Sequence, residues 1–357
     1  MDSSLTLFDS AVTPPQPPPT RYQGSKYKLL GWIWDIVSNL DFETVLDGFG
    51  GTGCVSHFLK GKGKTVTFND ILVSNCLGAK ALVENDNVIL SSNDVHWLTQ
   101  RHADVNYDDF IERTFSGIYF TNEENYWLDT VVRNIPLLDD EYKQAIAYYA
   151  LFQSCISKRP FNLFHRKNLY IRLAEVERSF GNKATWDKPF NETYRHFTKV
   201  ANQAIFIGNK RCIALNSDII EVQGCFDLVY LDPPYMNSRG VGVDYYDFYH
   251  FLEGLADYPN WLHRIDFGSK HRRLKHLENP WTKRGAVHDI FERTFRKFKD
   301  SLLVLSYRSD GIPSIDDLVK MMERHWPTVT THSLDGSYTY VLSTNKNSTE
   351  VILVGTR

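Results

Sequence analysis

ETVLDGFGGTGCVSHFLKGKGKTVTFND, residues 43–70, carries the architecture of this chain. ETVLDGF (43–49) is a short apolar run that ends in Asp47 and Gly48, as a strand does when it leaves a sheet. TGCVSHFLK (52–60) then sets Val55, Phe58 and Leu59 on one face at helical spacing. TVTFND (65–70) is a β-branched strand ending in an acid, and residues 73–84 read as a second helix. Strand, helix, strand, helix at this interval implies parallel βαβ units, hence an α/β fold.

Outward from this stretch the pattern changes. Residues 86–203 are helix-like and polar, with no evident parallel strand. The α/β signature returns at RCIALNSD (211–218) and CFDLVYLD (225–232), then at SLLVLSY (301–307) and STEVILVGT (348–356). The simplest reading is a doubly wound, mostly parallel sheet built from 21–85 and 204–357. A helical insertion at 86–203 and a smaller one within 236–290 interrupt it. TPPQPPPT (13–20) can form neither helix nor sheet, so residues 1–20 read as a flexible arm, with order beginning near Arg21. No internal repeat is seen.

Composition sets limits. Of 357 residues, 42% are hydrophobic, 23% charged and 14% aromatic, enough apolar material for a sizeable core. A net charge of −3 does not announce a nucleic-acid binder, although a large protein can gather positive charge on one face. The five cysteines (Cys54, Cys76, Cys155, Cys212, Cys225) are scattered without zinc-ligand spacing and read as free thiols; no metal is expected. No signal peptide or membrane-length apolar run is found, so a cytoplasmic protein is expected.

The turn Asp47-Gly48-Phe49-Gly50-Gly51-Thr52-Gly53 follows the first strand. Glycines there let the backbone turn sharply and approach a ligand at the carboxyl end of the sheet. Asp70 ends the next strand, where an acid meets ribose hydroxyls. A nicotinamide oxidoreductase would show both features, and a glycine-rich turn that binds no cofactor would show the turn, so the turn alone points to a nucleoside cofactor without deciding it.

Asp232-Pro233-Pro234-Tyr235 ends the strand FDLVYLD and is more specific. The exocyclic amine of adenine is a poor nucleophile because its lone pair is delocalised into the ring. A carboxylate at Asp232 and the carbonyl of Pro233 can each accept one amine hydrogen and draw the nitrogen toward tetrahedral geometry. The prolines stiffen the backbone and offer no competing N–H. Tyr235 supplies a flat face for an adenine turned out of a duplex.

These residues, with RYQGSK at 21–26, resemble the Dam-like (alpha-group) N6-adenine-specific DNA methyltransferases. That family's motif order is [PR]-Y-x-G-[GS]-K, D-x-F-x-G-x-G, a recognition domain, then DPPY. Nearly everything after residue 20 is covered. The resemblance implies the seven-stranded sheet of the S-adenosylmethionine-dependent methyltransferases, with 86–203 as the DNA-recognition domain. It implies S-adenosyl-L-methionine as cofactor and double-stranded DNA as substrate, with a cognate restriction endonuclease as a possible companion and no required oligomer. It assigns Tyr22 and Lys26 to the methionine end of the cofactor. Asp47, Phe49, Gly51 and Gly53 line the site, Asp70 holds the ribose, and Asp218 meets the cofactor's adenine amine. SYRSDG (306–311) also matches a family motif, without a chemical role being evident.

For DNA, the stretch 157–183 interleaves basic residues with Phe161, Phe164 and Tyr170. Lys158, Arg159, Arg166, Lys167 and Arg178 are the expected phosphate contacts; a solvated basic face would look the same. KHRRLKH (270–276), with Lys283 and Arg284, is a second basic cluster. Two other functions compete with a DNA adenine methylase. An RNA amino-methyltransferase uses the same tetrapeptide, and a catalytically silent DNA-binding subunit would keep the fold. N4-cytosine chemistry usually has Ser at position 232, and C5-cytosine chemistry needs a Pro-Cys nucleophile that is absent.

Overall fold

The computed structural model describes residues 13–176, 183–237, 240, 242–334 and 348–357. One sheet contains β1 Thr44–Asp47, β2 Thr65–Asn69, β3 Ile213–Leu215, β4 Leu228–Leu231, β5 Leu302–Arg308, β6 Thr328–Ser333 and β7 Glu350–Thr356. The order is β3-β2-β1-β4-β5-β7-β6, and all neighbours are parallel except those of β7. This is the mostly parallel seven-stranded sheet that the resemblance implies.

The strands read as near-continuous apolar runs because both faces of the sheet are covered. Side chains alternate across the plane with a period of two. Val45, Val66, Leu228, Tyr230, Val304 and Ile352 meet Ile33 and Val55 from the helices Leu30–Val37 and Cys54–Gly61. Their neighbours Leu46, Val229, Leu231, Leu303 and Leu353 meet Phe291, Phe295 and Leu318 from Val287–Lys297 and Ile315–Met322.

Three expectations need amendment. β6 was not foreseen: TVTTHS is an edge strand, largely exposed, with no apolar alternation to read. Order begins no later than Thr13 rather than near Arg21, since Pro17 and Pro18 are buried and Pro14 packs against Gly61. A proline run has no N–H to satisfy and can be laid down without a ladder; residues 1–12 lie outside the described part.

The third amendment concerns the insertions. Between β2 and β3 the described residues form helices and loops, chief among them Asn122–Asn134, Glu141–Ser157 and Phe190–Ala204. Glu141–Ser157 is buried almost all round, as befits a central helix. Phe251, Leu255, Trp261 and Leu274, from the stretch after the fourth strand, share one core with Phe115, Tyr119, Ile146 and Phe164. Two stretches that look separate in sequence therefore make one helical body.

Candidate active site

β1 and β4 are parallel neighbours with Asp47 opposite Tyr230, so the glycine turn and the Asp232 corner leave the sheet side by side. Strand order diverges between them, the position where open α/β sheets bind ligands. Gly48 N–H donates to the Tyr230 carbonyl at 2.9 Å, tying the two corners together.

The turn needs its glycines for distinct reasons. A Cβ on Gly50 would sit 2.1 Å from the Phe68 ring, and Gly51 and Gly53 have φ of +53° and +72°. Asp70 holds the turn from below: its carboxylate accepts from Gly51 N and Leu72 N at 2.8 Å and from Asn75 Nδ2 at 3.2 Å. Phe49 turns its ring edge to Trp281 at 4.9 Å, closing one flank of the turn.

Asp47 is buried. Ser56 Oγ donates to its Oδ2 at 2.7 Å, while Oδ1 has no partner among the described residues. Burial pushes its carboxyl up to about 7, with Ser56 opposing the rise. Asp218 lies exposed after β3, where its Oδ1 accepts from Ile220 N at 3.0 Å.

The loop carrying Arg21 to Lys26 folds over the turn. Ser25 Oγ is 3.4 Å from Thr52 Oγ1. Tyr22 stacks on Tyr249 with centroids 4.1 Å apart, and its hydroxyl accepts from Asn75 at 3.2 Å. Tyr22, Gly51, Thr52, Ser74 and Asn75 line a cleft that runs on beneath Tyr149 and Phe152. The Lys26 ammonium pairs with two carboxylates, Asp232 Oδ1 and Glu350 Oε1, each at 2.9 Å.

Asp232 follows β4 and Pro233 is buried beside it. Burial lifts the Asp232 carboxyl to about 6; Lys26 pulls it down and Glu350 pushes it up. Tyr235 sits beneath the Arg308 guanidinium, 4.8 Å from its ring centre, and edge-on to Tyr307 at 6.3 Å. Arg308 is in turn held by Asp310. SYRSDG thereby acquires its role: it seats the tyrosine of the corner, and Ser306 donates to Glu350 at 2.6 Å.

Glu350, Trp281 and Asn75 escaped sequence reading, and Arg308 lay in SYRSDG without a role. Glu350 had left a signal, an acid at the head of the apolar run EVILVG.

The expected DNA contacts divide. Arg166 and Lys167 are exposed, and Arg178 lies outside the described residues. Lys158 and Arg159 must be withdrawn from that list, being only 1% exposed. Lys158 pairs with Glu124 at 3.1 Å and donates to the Trp186 carbonyl at 2.7 Å. Arg159 donates to the carbonyls of Leu163, Tyr119 and Arg166 and to Asn168. Both turn inward at the end of Glu141–Ser157 to hold the following loop, a direction that charge spacing does not reveal.

Residues 22–260 match the family described as D12 class N6 adenine-specific DNA methyltransferase. The chain is 28% identical over 341 residues to the type II methyltransferase M2.HphI of Haemophilus parahaemolyticus, covering 93% of this chain and 95% of that one. It is 24% identical over 320 residues to the modification methylase LlaI of Lactococcus lactis subsp. lactis, covering 85% and 48%. It is 24% identical over 332 residues to the type II methyltransferase M.FokI of Planomicrobium okeanokoites, covering 85% and 47%. The chain thus spans nearly all of the first relative and about half the length of the other two.

Proposed function

The chain belongs to the D12 class of N6 adenine-specific DNA methyltransferases, and we propose that Asp232, Pro233 and Tyr235 are where the adenine amine receives its methyl group. The observation that carries this is the adjacency of the Asp232 corner to the glycine turn, fixed by the β1–β4 register. S-adenosylmethionine fits as the donor. The turn presents a close backbone approach, and the buried Oδ1 of Asp47, unpartnered among the described residues, can accept from a ligand. Tyr22, Asp47, Phe49, Gly51, Gly53, Asp70 and Asp218 would hold it. Asp70 does so through the turn it braces, and Asp218 from the far end. When bound, it supplies an electrophilic methyl on a sulfonium.

The protein's part in the reaction is positional and electrostatic. Asp232 and the Pro233 carbonyl accept the two amine hydrogens, concentrating the lone pair on the nitrogen. Tyr235, clamped by Arg308, stacks the base extruded from the duplex. When the nitrogen has taken the methyl, one of its hydrogens passes as a proton to Asp232, which releases it to solvent. Ionised Asp232 is the stronger acceptor and protonation removes its negative charge, so transfer should fall as pH drops through about 6.

The names of the relatives, type II methyltransferase and modification methylase, support a place in a restriction-modification system beside a nuclease cutting the same site. No helix among the described residues is long and apolar enough to cross a membrane, which accords with work on cellular DNA in the cytoplasm. We read 86–203 with 236–290 as the DNA-recognition body and the remainder after residue 20 as the catalytic domain.

The test is transfer of labelled methyl to duplex DNA, with ribosomal RNA as the competing substrate. Asp232→Ala should lose roughly 10³-fold or more in turnover, with cofactor affinity little changed. Retained turnover would remove Asp232 from the chemistry, and label on RNA alone would favour an RNA enzyme.

A further inference from the structure

Glu350 is 1% exposed and belongs to neither the glycine turn nor the Asp232 corner. A buried carboxylate is expensive to desolvate and is kept only where something answers it. Lys26 and Asp232 alone would make a neutral pair. Glu350 turns that pair into a buried cluster of one ammonium between two carboxylates, each 2.9 Å away. An ammonium shared in this way fully neutralises neither partner.

We propose that Glu350 is a positioning residue for methyl transfer: it shares the Lys26 ammonium, so that Asp232 faces the target amine with more of its negative charge than a closed Lys26–Asp232 pair would leave. The inference rests on Asp232 being the amine's acceptor. As the methyl moves from sulfur to nitrogen, positive charge arrives on the nitrogen beside Asp232, and a net-negative cluster stabilises it where a closed salt bridge would not.

Rigid elements set the geometry. Glu350 opens β7 opposite Arg308 in the β5–β7 ladder, and Ser306 Oγ fixes its Oε1 at 2.6 Å. Lys26 arrives on the short helix Lys26–Leu29, whose start packs on the glycine turn through Ser25 and Thr52.

Among the described residues, Asp232 is faced by Lys26, Glu350, Asp47, Tyr230 and Tyr245. Glu350 is faced by Lys26, Asp232, Tyr235, Ser306 and, across the ladder, Arg308. Of the charged groups around Asp232, Lys26 pulls its carboxyl down and Glu350 raises it, on top of the rise from burial. Removing the charge of Glu350 therefore makes Asp232 a stronger acid and a weaker hydrogen acceptor.

The test is Glu350→Gln, which keeps the shape and can still accept from Ser306. Single-turnover transfer from saturating S-adenosylmethionine to unmethylated duplex DNA is followed from about pH 5 to 9, with cofactor affinity measured in parallel. The acid limb should move down by roughly one pH unit. The plateau rate should fall about tenfold or more, with affinity for S-adenosylmethionine unchanged. Glu350→Asp, which keeps the charge, should return the limb toward its original place.

A Glu350→Gln enzyme with an unmoved limb and full plateau rate overturns the proposal. So does a limb that Glu350→Asp leaves where Gln put it. If Glu350→Gln does not fold, Ser306→Ala, which only loosens the hold on Glu350, should shift the limb the same way by less, and an unshifted limb overturns the proposal. Wild-type protein that transfers nothing to DNA would instead bring down the assignment of Asp232 on which all this rests.

Discussion

Asp47 carries a charge that folding opposes. Burial raises its carboxyl to about 7, and its Oδ1 has no partner among the described residues. The unfolded group titrates near 4, so the folded state holds the proton more tightly. The stabilisation this brings is present at acid pH and is lost as pH rises from about 4 through about 7. Asp47→Asn removes the penalty. The variant should unfold at higher temperature than wild type at pH 8, by an amount on the order of a few kcal/mol in stability. The gain should vanish near pH 4, and calorimetry at the two pH values checks it. The same variant should bind S-adenosylmethionine more weakly, because a cationic group placed against the ionised Oδ1 would otherwise recover that penalty; a gain in stability at the expense of the site is a common trade. Asp232 differs in having a resident cation and in being partly exposed. Lys26 is already at 2.9 Å, and the carboxyl still rises to about 6 because burial outweighs the pair.

At the scale of elements, legibility followed the range of the interactions. The glycine turn and the Asp232 corner could be read because their chemistry is local. Gly50, Gly51 and Gly53 answer to backbone geometry, and the prolines to stiffness. The Lys26–Asp232–Glu350 cluster could not be read, since its members come from the first helix, the β4 end and the last strand, and only the sheet brings them together. β6 was invisible because an exposed edge strand imposes no apolar alternation. The loop after Glu141–Ser157 misled for another reason: basic residues that brace a loop and basic residues that meet phosphate have the same spacing. The two should separate on mutation. Arg159→Met strands the carbonyls of Leu163, Tyr119 and Arg166 and should reduce stability by roughly 3 kcal/mol. Arg166→Gln, at an exposed position, should change stability by less than about 0.5 kcal/mol. Chemical denaturation of the two variants decides it, and equal losses would contradict the bracing role.

Taken whole, the molecule bears a net charge of −3 and acts on a polyanion, so its cations must be gathered locally. Tyr119 shows where. Its hydroxyl lies 2.6 Å from the Phe164 carbonyl and 2.8 Å from the His271 carbonyl, with His250 Nε2 also at 2.8 Å. Burial pushes the His250 ring down to about 3, so it stays neutral and can serve this node as donor. The node fastens the loop bearing exposed Arg166 and Lys167 to the small hairpin closed by Ile265 and Leu274, which bears exposed Lys270. Both segments belong to the helical body, and its core continues to Tyr249 and Leu252, near Tyr22 and the cleft. A duplex held by these two segments would therefore be positioned relative to the Asp232 corner by packed structure rather than by a hinge. If they meet phosphates together, replacing Arg166, Lys167 and Lys270 by Gln should weaken binding to every DNA sequence alike. The slope of log affinity against log salt should fall by roughly one for each contact removed, with S-adenosylmethionine affinity and folding unchanged. A slope that stays constant would place the phosphate contacts on another face, and losses confined to one DNA sequence would make these residues base readers instead.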